Sequence, residues 1–331
     1  MLPVLRARFP DAHLTMLLRK YTGTIIEGNP YVDELLWYDD GSSLTPFGEM
    51  RKILSDNRFD VAIVVYPTFR LAWLMFRSGI PVRVGTGYRY YSLLFTKRVF
   101  EHRKDAHRHE VEYNLNLLGE LGCTLPSRPE FFISIPPEAE QRVVEVLHSA
   151  GLDAAKPLAI VHPGSGGSAR EWSAENFGKL AARLTAGNRL QVVATGSASE
   201  GSLVELVVQS SGRSTVSLAG AFSTKELAAL IRMSKLFVSN STGPLHVAAA
   251  VGTPVVGLYP QHTPMHARRW GPLSTKSIVF TPKKPVYCSD CAGGKGEVCA
   301  CMESISVGEV YAAACSLLDT TRVARETASR A

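Results

Sequence analysis

A chain of 331 residues is longer than one hydrophobic core usually sustains, so two domains are expected, each large enough to bury its own core. With 45% hydrophobic and 20% charged residues, no low-complexity block and no repeat of solenoid period, the composition excludes a disordered or fibrous protein. A net charge of +6 suits an anionic partner but lacks the bias of a dedicated nucleic-acid binder, so no nucleic-acid partner is expected.

The opening MLPVLRARFP carries basic residues but no apolar segment behind them, and no uninterrupted apolar run approaches the ~18 residues of a membrane span. A cytoplasmic protein is expected. Short runs at His13–Leu18, Glu34–Tyr38, Asp60–Tyr66 and Val82–Gly85 read as strands, and HEVEYNLNLLGELG reads as a helix, which together predict a first α/β domain. Between Arg77 and Arg108 stand eight Lys or Arg against two acidic residues, interleaved with Tyr88, Tyr90, Tyr91, Phe95 and Phe100. This is either an ordinary solvated surface or a contact for an anionic acceptor or lipid headgroups, made through point charges and amphipathic rings.

Pro136 and Pro137 then break the chain, a short amphipathic helix ends at Gly151, and a domain boundary is placed between Pro136 and Pro157. The expected organisation is an acceptor-side domain over residues 1–140 and a ligand-binding domain over residues 141–331. In the second, β-rich runs at Leu158–His162, Leu190–Thr195, Thr215–Leu218, Leu236–Ser239, Val255–Tyr259 and Ile278–Thr281 alternate with helical patterns. Such alternation predicts βαβ units and a parallel sheet.

Two strand-to-helix turns in that domain have the chemistry of an anion site. In SNSTGPLHVAAAVGTPVVGLYP, an apolar strand is followed by Ser241 or Thr242 as a helix cap, Gly243, and Pro244 in the first turn, where its missing N–H costs nothing. Gly252 and Pro254 stop the helix before the next strand. The open amides of that helix N-terminus, with the hydroxyls and His246 beside them, suit a phosphate, although capping alone would also explain Ser241, Thr242 and Pro244. In LAIVHPGSGGSAREW the glycines let backbone amides approach an anion, Arg170 adds a fixed charge, and Ser173 can cap the following helix. The loop TGSASEGS offers Glu200 to a sugar hydroxyl, or leaves it facing solvent. Neither a phosphate-binding G-x-x-x-x-G-K-[ST] loop nor a G-x-G-x-x-G dinucleotide turn is present.

On HPGSGGSAREW and STGPLHVAAAVGTPVVGLYP, supported by FDVAIVVYP and HEVEYNLNLLGELG, the sequence resembles the lipopolysaccharide heptosyltransferases of glycosyltransferase family 9. The resemblance implies two facing Rossmann-like domains in the GT-B arrangement and an inverting transfer of heptose from ADP-heptose to an inner-core lipopolysaccharide. The partners it implies are an ADP-sugar donor and an anionic glycolipid acceptor, with peripheral contact at the cytoplasmic face of the inner membrane. It places diphosphate contacts at Ser165, Gly166 and Arg170, ribose contact at Glu200, adenine contact near Phe222, and a diphosphate and heptose pocket along Thr242, Gly243 and His246. Ser241 stands where the family often has aspartate. No D-x-D pair occurs, so no divalent metal or other cofactor is expected to be required for catalysis.

Family members open with a strand and a Gly-Asp turn whose aspartate acts on the acceptor hydroxyl, and this chain begins after them. The expectation is a first domain lacking its first strand, through a misplaced start codon or truncation, and no catalytic base is assigned. Loss of a general base costs about 10²- to 10⁴-fold in rate, so a non-catalytic nucleotide-sugar-binding relative is the alternative reading. Finally, Cys288, Cys291, Cys299 and Cys301 have spacing that fits either a structural zinc knuckle or four reduced thiols in a loop.

Overall fold

The computed structural model describes residues 1–188, 190–283 and 300–328. The chain divides into two compact units, Met1–Ser134 and Ile135–Ala331.

The first unit contains five short strands: β1 (Thr15–Leu18), β2 (Glu34–Trp37), β3 (Val61–Ile63), β4 (Val82–Thr86) and β5 (Lys97–Val99). All pairings are parallel, with Thr15 opposite Glu34, Val61 opposite Val82 and Val84 opposite Lys97. Among the described residues β1 pairs only with β2, and β3–β4–β5 form a separate sheet. Leu17, Leu36, Ala62 and Val64 nevertheless share one core with Met50 and Leu54 of the helix Phe47–Asp56, and with Ala72, Leu74 and Met75 of the helix Phe69–Arg77. The helix expected in HEVEYNLNLLGELG spans Glu110–Gly119. It is capped by His109, whose Nδ1 accepts the Val111 amide, and it buries Leu115 and Leu118.

Among the described residues the second unit is built on six parallel strands: β6 (Leu158–His162), β7 (Gln191–Ala194), β8 (Thr215–Ser217), β9 (Leu236–Asn240), β10 (Val255–Leu258) and β11 (Ser277–Phe280). Their order across the sheet is β11-β10-β9-β6-β7-β8. Each of the six apolar runs read from the sequence becomes a strand, because a parallel strand covered on both faces needs no polar alternation. Ala159 and Val161 of β6 and Leu236 and Val238 of β9 point to one face, against the helices Ala174–Asn188, Gly201–Ser210 and Val307–Ala328. Leu158, Ile160 and Phe237 point to the other, against Pro137–Ser149, Thr224–Met233 and Gly243–Ala250. At about 1.5–3 kcal/mol for each fully buried large side chain, these two layers are what hold the sheet in place.

The topology also locates a crevice. From β6 the chain winds outward through β7 and β8, then returns to β9 and winds the other way through β10 and β11. The loops after β6 and β9 therefore leave the carboxyl edge in opposite directions, which is where open sheets of this kind bind ligands. The fold is the expected α/β class with parallel sheets.

Candidate functional site

At the switch between β6 and β9 both strands end in polar residues, and the two loops are fastened together by a buried amide. Asn240, the last residue of β9, donates through Nδ2 to the Pro163 carbonyl at 2.6 Å and accepts the Trp172 amide on Oδ1 at 3.0 Å. The Ser168 hydroxyl donates to the Ser165 carbonyl at 2.7 Å and lies 3.3 Å from the carbonyl of Ser241. The Gly/Ser loop and the Ser241–Gly243 turn thus form adjacent walls of one site. Arg170 is half-buried on the first wall, and His246 is half-buried in the first turn of the helix on the second.

The second wall departs from the expected cap. Thr242 is the N-cap residue of the helix Gly243–Ala250, but its side chain makes no capping hydrogen bond, and Ser241 lies one residue earlier with its amide donated to Leu258 of β10. A methyl group built on Gly243 would meet nothing within 4 Å. The helix therefore opens onto free space with its first turn uncapped by a side chain, which leaves it able to receive an anion. Gly252, at φ +81°, ends this helix as the sequence predicts.

In the first wall, Gly166 and Gly167 take positive φ, and added methyl groups there would also meet open space. Its amides, however, are held by carboxylates. Ser165 N donates to Glu171 Oε1 at 2.7 Å, and Gly166 N donates to Glu200 Oε1 at 3.3 Å. Burial raises the Glu171 carboxyl above its ordinary range, and the hydrogen bonds from Ser165 offset this only in part. Burial would do the same at Glu200. There the Ser197 amide and hydroxyl, neighbouring His162 and the Gly166 amide outweigh it and hold the carboxyl below its ordinary value.

His162, at the end of β6, is buried with Nδ1 2.9 Å from the Thr195 hydroxyl. Desolvation drives its pKa down to about 4, against a smaller opposing pull from Glu200, so the ring is neutral at pH 7. Glu200 itself caps the turn after β7 and reaches across to the loop after β6, so close that a side chain at Gly164 would collide with its carboxylate. Phe222, after β8, is half-buried and packs against the core layer that holds Leu158, Ile160 and Phe237.

The first wall is also clamped from the end of the unit. Glu303 accepts the Ser173 amide at 2.9 Å and the Ser173 hydroxyl at 3.0 Å, while the Trp172 indole donates to the Ile305 carbonyl at 3.0 Å. Ser173 does cap its helix, accepting the Asn176 amide at 3.4 Å. The structure thus brings together Ser165, Gly166, Arg170, Glu200, Ser241, Thr242, Gly243 and His246 on the edges of neighbouring strands. It adds Asn240, Glu171, His162, Thr195 and Glu303, which sequence reasoning missed because their partners are set by strand order for Asn240, His162 and Thr195, by the folding of one loop for Glu171, and by the return of the C-terminal segment for Glu303. The only sequence sign of them is their position, as polar residues at the ends of otherwise apolar strands or beside the loops.

Of the four cysteines considered for zinc, Cys288, Cys291 and Cys299 lie outside the described residues. Cys301 is buried in the core beside Met302 and Ile305. Among the described residues, no group of three or more His, Cys, Asp or Glu is placed to hold a metal ion.

Known proteins resemble this one along most of its length. The family model for glycosyltransferase family 9 (heptosyltransferase) matches residues 47–293. Lipopolysaccharide heptosyltransferase 2 of Salmonella typhimurium is 29% identical over 297 residues, 83% of this chain and 81% of that one. A family 9 glycosyl transferase structure from Veillonella parvula superposes with a TM-score of 0.81 at 25% identity, covering 96% of this chain and 91% of the other. The fold is likewise that of the E. coli ADP-heptose lipopolysaccharide heptosyltransferase II, with a TM-score of 0.76 at 24% identity over 97% and 94% of the two chains.

Proposed function

The chain belongs to glycosyltransferase family 9, the heptosyltransferases, and is a glycosyltransferase, and from that premise we propose that it moves a heptose from ADP-heptose to an inner-core lipopolysaccharide acceptor with inversion at the anomeric carbon. The observation that carries this reading is the open, uncapped N-terminus at Thr242–Gly243 standing beside the Gly/Ser loop and Arg170 at the switch point. We assign the donor diphosphate to that crevice, with its charge directed toward the Gly243 turn and Arg170 and away from the Glu171 and Glu200 carboxylates. Heptosyltransferase relatives act on lipopolysaccharide, and the anionic glycolipid acceptor is carried over from them.

In the proposed reaction an acceptor hydroxyl oxygen attacks the anomeric carbon as the bond from that carbon to the diphosphate breaks. The electron pair leaves with the diphosphate, and the hydroxyl proton passes to a base. Arg170 and the helix amides meet the charge that develops on the leaving oxygen, a task for which fixed dipoles and a guanidinium suffice without a divalent ion. His162, neutral and buried, keeps positive charge out of the strand end, and Glu200 braces the loop rather than the leaving group.

Titration calorimetry with ADP and an ADP-sugar tests the reading. Wild-type protein is expected to bind both, and Arg170→Ala to bind about 10- to 100-fold more weakly, the cost of a lost charge-assisted hydrogen bond. Mass analysis of an acceptor incubated with ADP-heptose should then show the added heptose. No measurable ADP affinity in folded protein would overturn the assignment of the donor site.

A further inference from the structure

The helix Phe69–Arg77 in the first unit is apolar on both sides. Its inner side, with Ala72, Leu74 and Met75, is buried in the core. Its outer side carries Phe69, Trp73 and Phe76, spaced at i, i+4 and i+7, and these are 47%, 36% and 44% exposed. A helix facing water would place polar residues there, but on this helix the polar residues, Arg70 and Arg77, form a separate stripe and leave the aromatic side to meet solvent.

The aromatic surface continues beyond the helix. Phe69 stacks on Tyr90 at 5.9 Å and on Trp73 at 6.3 Å, and Trp73 stacks on Phe76 at 5.5 Å. Tyr90 opens the 3₁₀ turn Tyr90–Leu94, in which Leu93 falls one turn later on the same side; these two are 79% and 80% exposed. Scattered single exposed apolar residues are normal, but five contiguous ones mark a contact surface.

Charge defines the contact. From Tyr66 to Phe100 the chain holds six Lys or Arg and no acidic residue. Arg77 lies over the Trp73 ring at 5.7 Å and Arg83 over the Phe76 ring at 5.5 Å, while Arg89 is exposed beside Tyr90. Aromatic rings bordered by arginine, with no acid among them, match the boundary between acyl chains and anionic headgroups, where Trp, Tyr and Phe bury their rings and Arg keeps its charge in the polar layer. Among the described residues no helix is long and apolar enough to cross a membrane, so such a contact lies on the surface of the bilayer.

We propose that the outer face of Phe69–Arg77, together with Tyr90 and Leu93, docks the first unit onto an anionic phospholipid membrane. The proposal deepens the reading of a lipid-borne acceptor and rests on it for its purpose, while its test requires neither donor nor acceptor.

The test is co-sedimentation of the full chain with vesicles of phosphatidylcholine alone, and of phosphatidylcholine with phosphatidylglycerol. Wild-type protein is expected to bind the mixed vesicles and not the neutral ones, with weaker binding as salt is added. A basic residue near an anionic surface contributes about fivefold to partitioning, so Arg77→Glu with Arg89→Glu should weaken binding by about 25-fold or more. A Phe69→Ser, Trp73→Ser, Phe76→Ser variant should lose binding as well, because charge alone does not seat the face. Both variants should keep the wild-type circular dichroism spectrum and ADP affinity, since the substituted side chains are exposed and the ADP site belongs to the other unit. If wild-type protein ignores anionic vesicles, or if the serine variant binds them as wild type does, the proposal fails. A concentration-dependent dimer that the serine variant abolishes, without vesicle binding, would instead assign the face to a second copy of the chain and overturn the proposal. Loss of ADP affinity in wild-type protein would strike the donor-site reading and leave vesicle binding unaffected.

Discussion

Asn240 and Pro163 are joined at 2.6 Å across the switch point, the Asn240 amide donating to the proline carbonyl, and the same side chain holds the Trp172 amide. Both loops that form the proposed donor site therefore depend on one buried side chain. Asn240→Leu leaves an amide and a carbonyl buried without partners, at about 1–3 kcal/mol each. A fall in the urea midpoint of the second unit and weaker ADP binding are expected together, measured by denaturation and by calorimetry.

Two glycines should respond in opposite ways. A methyl group at Gly164 would overlap the Glu200 carboxylate, so Gly164→Ala must displace the brace between the loops after β6 and β7 and should lower stability. Gly243 lies at the start of a helix, faces open space and has no positive φ, so Gly243→Ala should leave the denaturation midpoint unchanged or raise it, because alanine is favoured over glycine in helices by about 1 kcal/mol. If the diphosphate approaches this backbone, the same methyl group should reduce ADP affinity by about tenfold or more. Unchanged ADP affinity in Gly243→Ala would place the anion elsewhere.

The buried histidine sets an acid limit. His162 has a pKa of about 4 in the folded protein and about 6.5 unfolded, so between these values the unfolded chain binds more protons. Its contribution is intact above pH 6.5, declines as pH falls toward 4 and is level below that, a total of about 3 kcal/mol. Glu200 works in the same direction at lower pH, since its carboxyl is held down in the fold, while Glu171, held up, contributes in the opposite direction and weakens the fold as pH rises through its range. Unfolding free energy measured from pH 7 to 4 should fall more steeply in wild-type protein than in His162→Gln. Parallel curves would contradict a neutral buried ring.

Glu303 receives the amide and hydroxyl of Ser173 and, at 2.8 Å, the side-chain amide of Asn176. Glu303→Ala removes all three acceptor contacts at once, and a loss of about 1–3 kcal/mol in stability is expected. Protease digestion should cut the Gly/Ser loop faster in this variant, as it no longer has its clamp.

The sheet of the second unit was legible because LAIVH and LFVSN are continuous apolar runs between turn residues, the pattern of strands covered on both faces. The strand Lys97–Val99 was not, being three residues long with two of them charged, and the helix Phe69–Arg77 was not, because FRLAWLMFR is nine residues long with Arg70 and Arg77 as its only polar residues, too short a mostly apolar run to tell a helix from a buried strand. At the site, strand, hydroxyls, glycine and proline in one short segment announce a helix N-terminus, so Thr242 and Gly243 could be named from the sequence. The expected cap could not be checked there, since whether a threonine hydroxyl turns toward its own helix depends on side-chain rotation. Asn240 and Glu303 lie 77 and 130 residues from the groups they hold in Pro163 and Ser173, so nothing in local pattern links them, and Glu171, only 6 residues from Ser165, reaches it through a loop bend that has no repeating pattern.

The clamp by Glu303 and Ile305 also orders events during synthesis. Chains emerge from the ribosome beginning at the N-terminus, and domains tend to fold as they emerge. The Gly/Ser turn is made near residue 165, yet the groups that fasten its following helix arrive only with residues 303 and 305. A nascent polypeptide can therefore complete much of the sheet while the proposed donor crevice is still loose, and the loop after β6 is fastened only once residues 303 and 305 have been added.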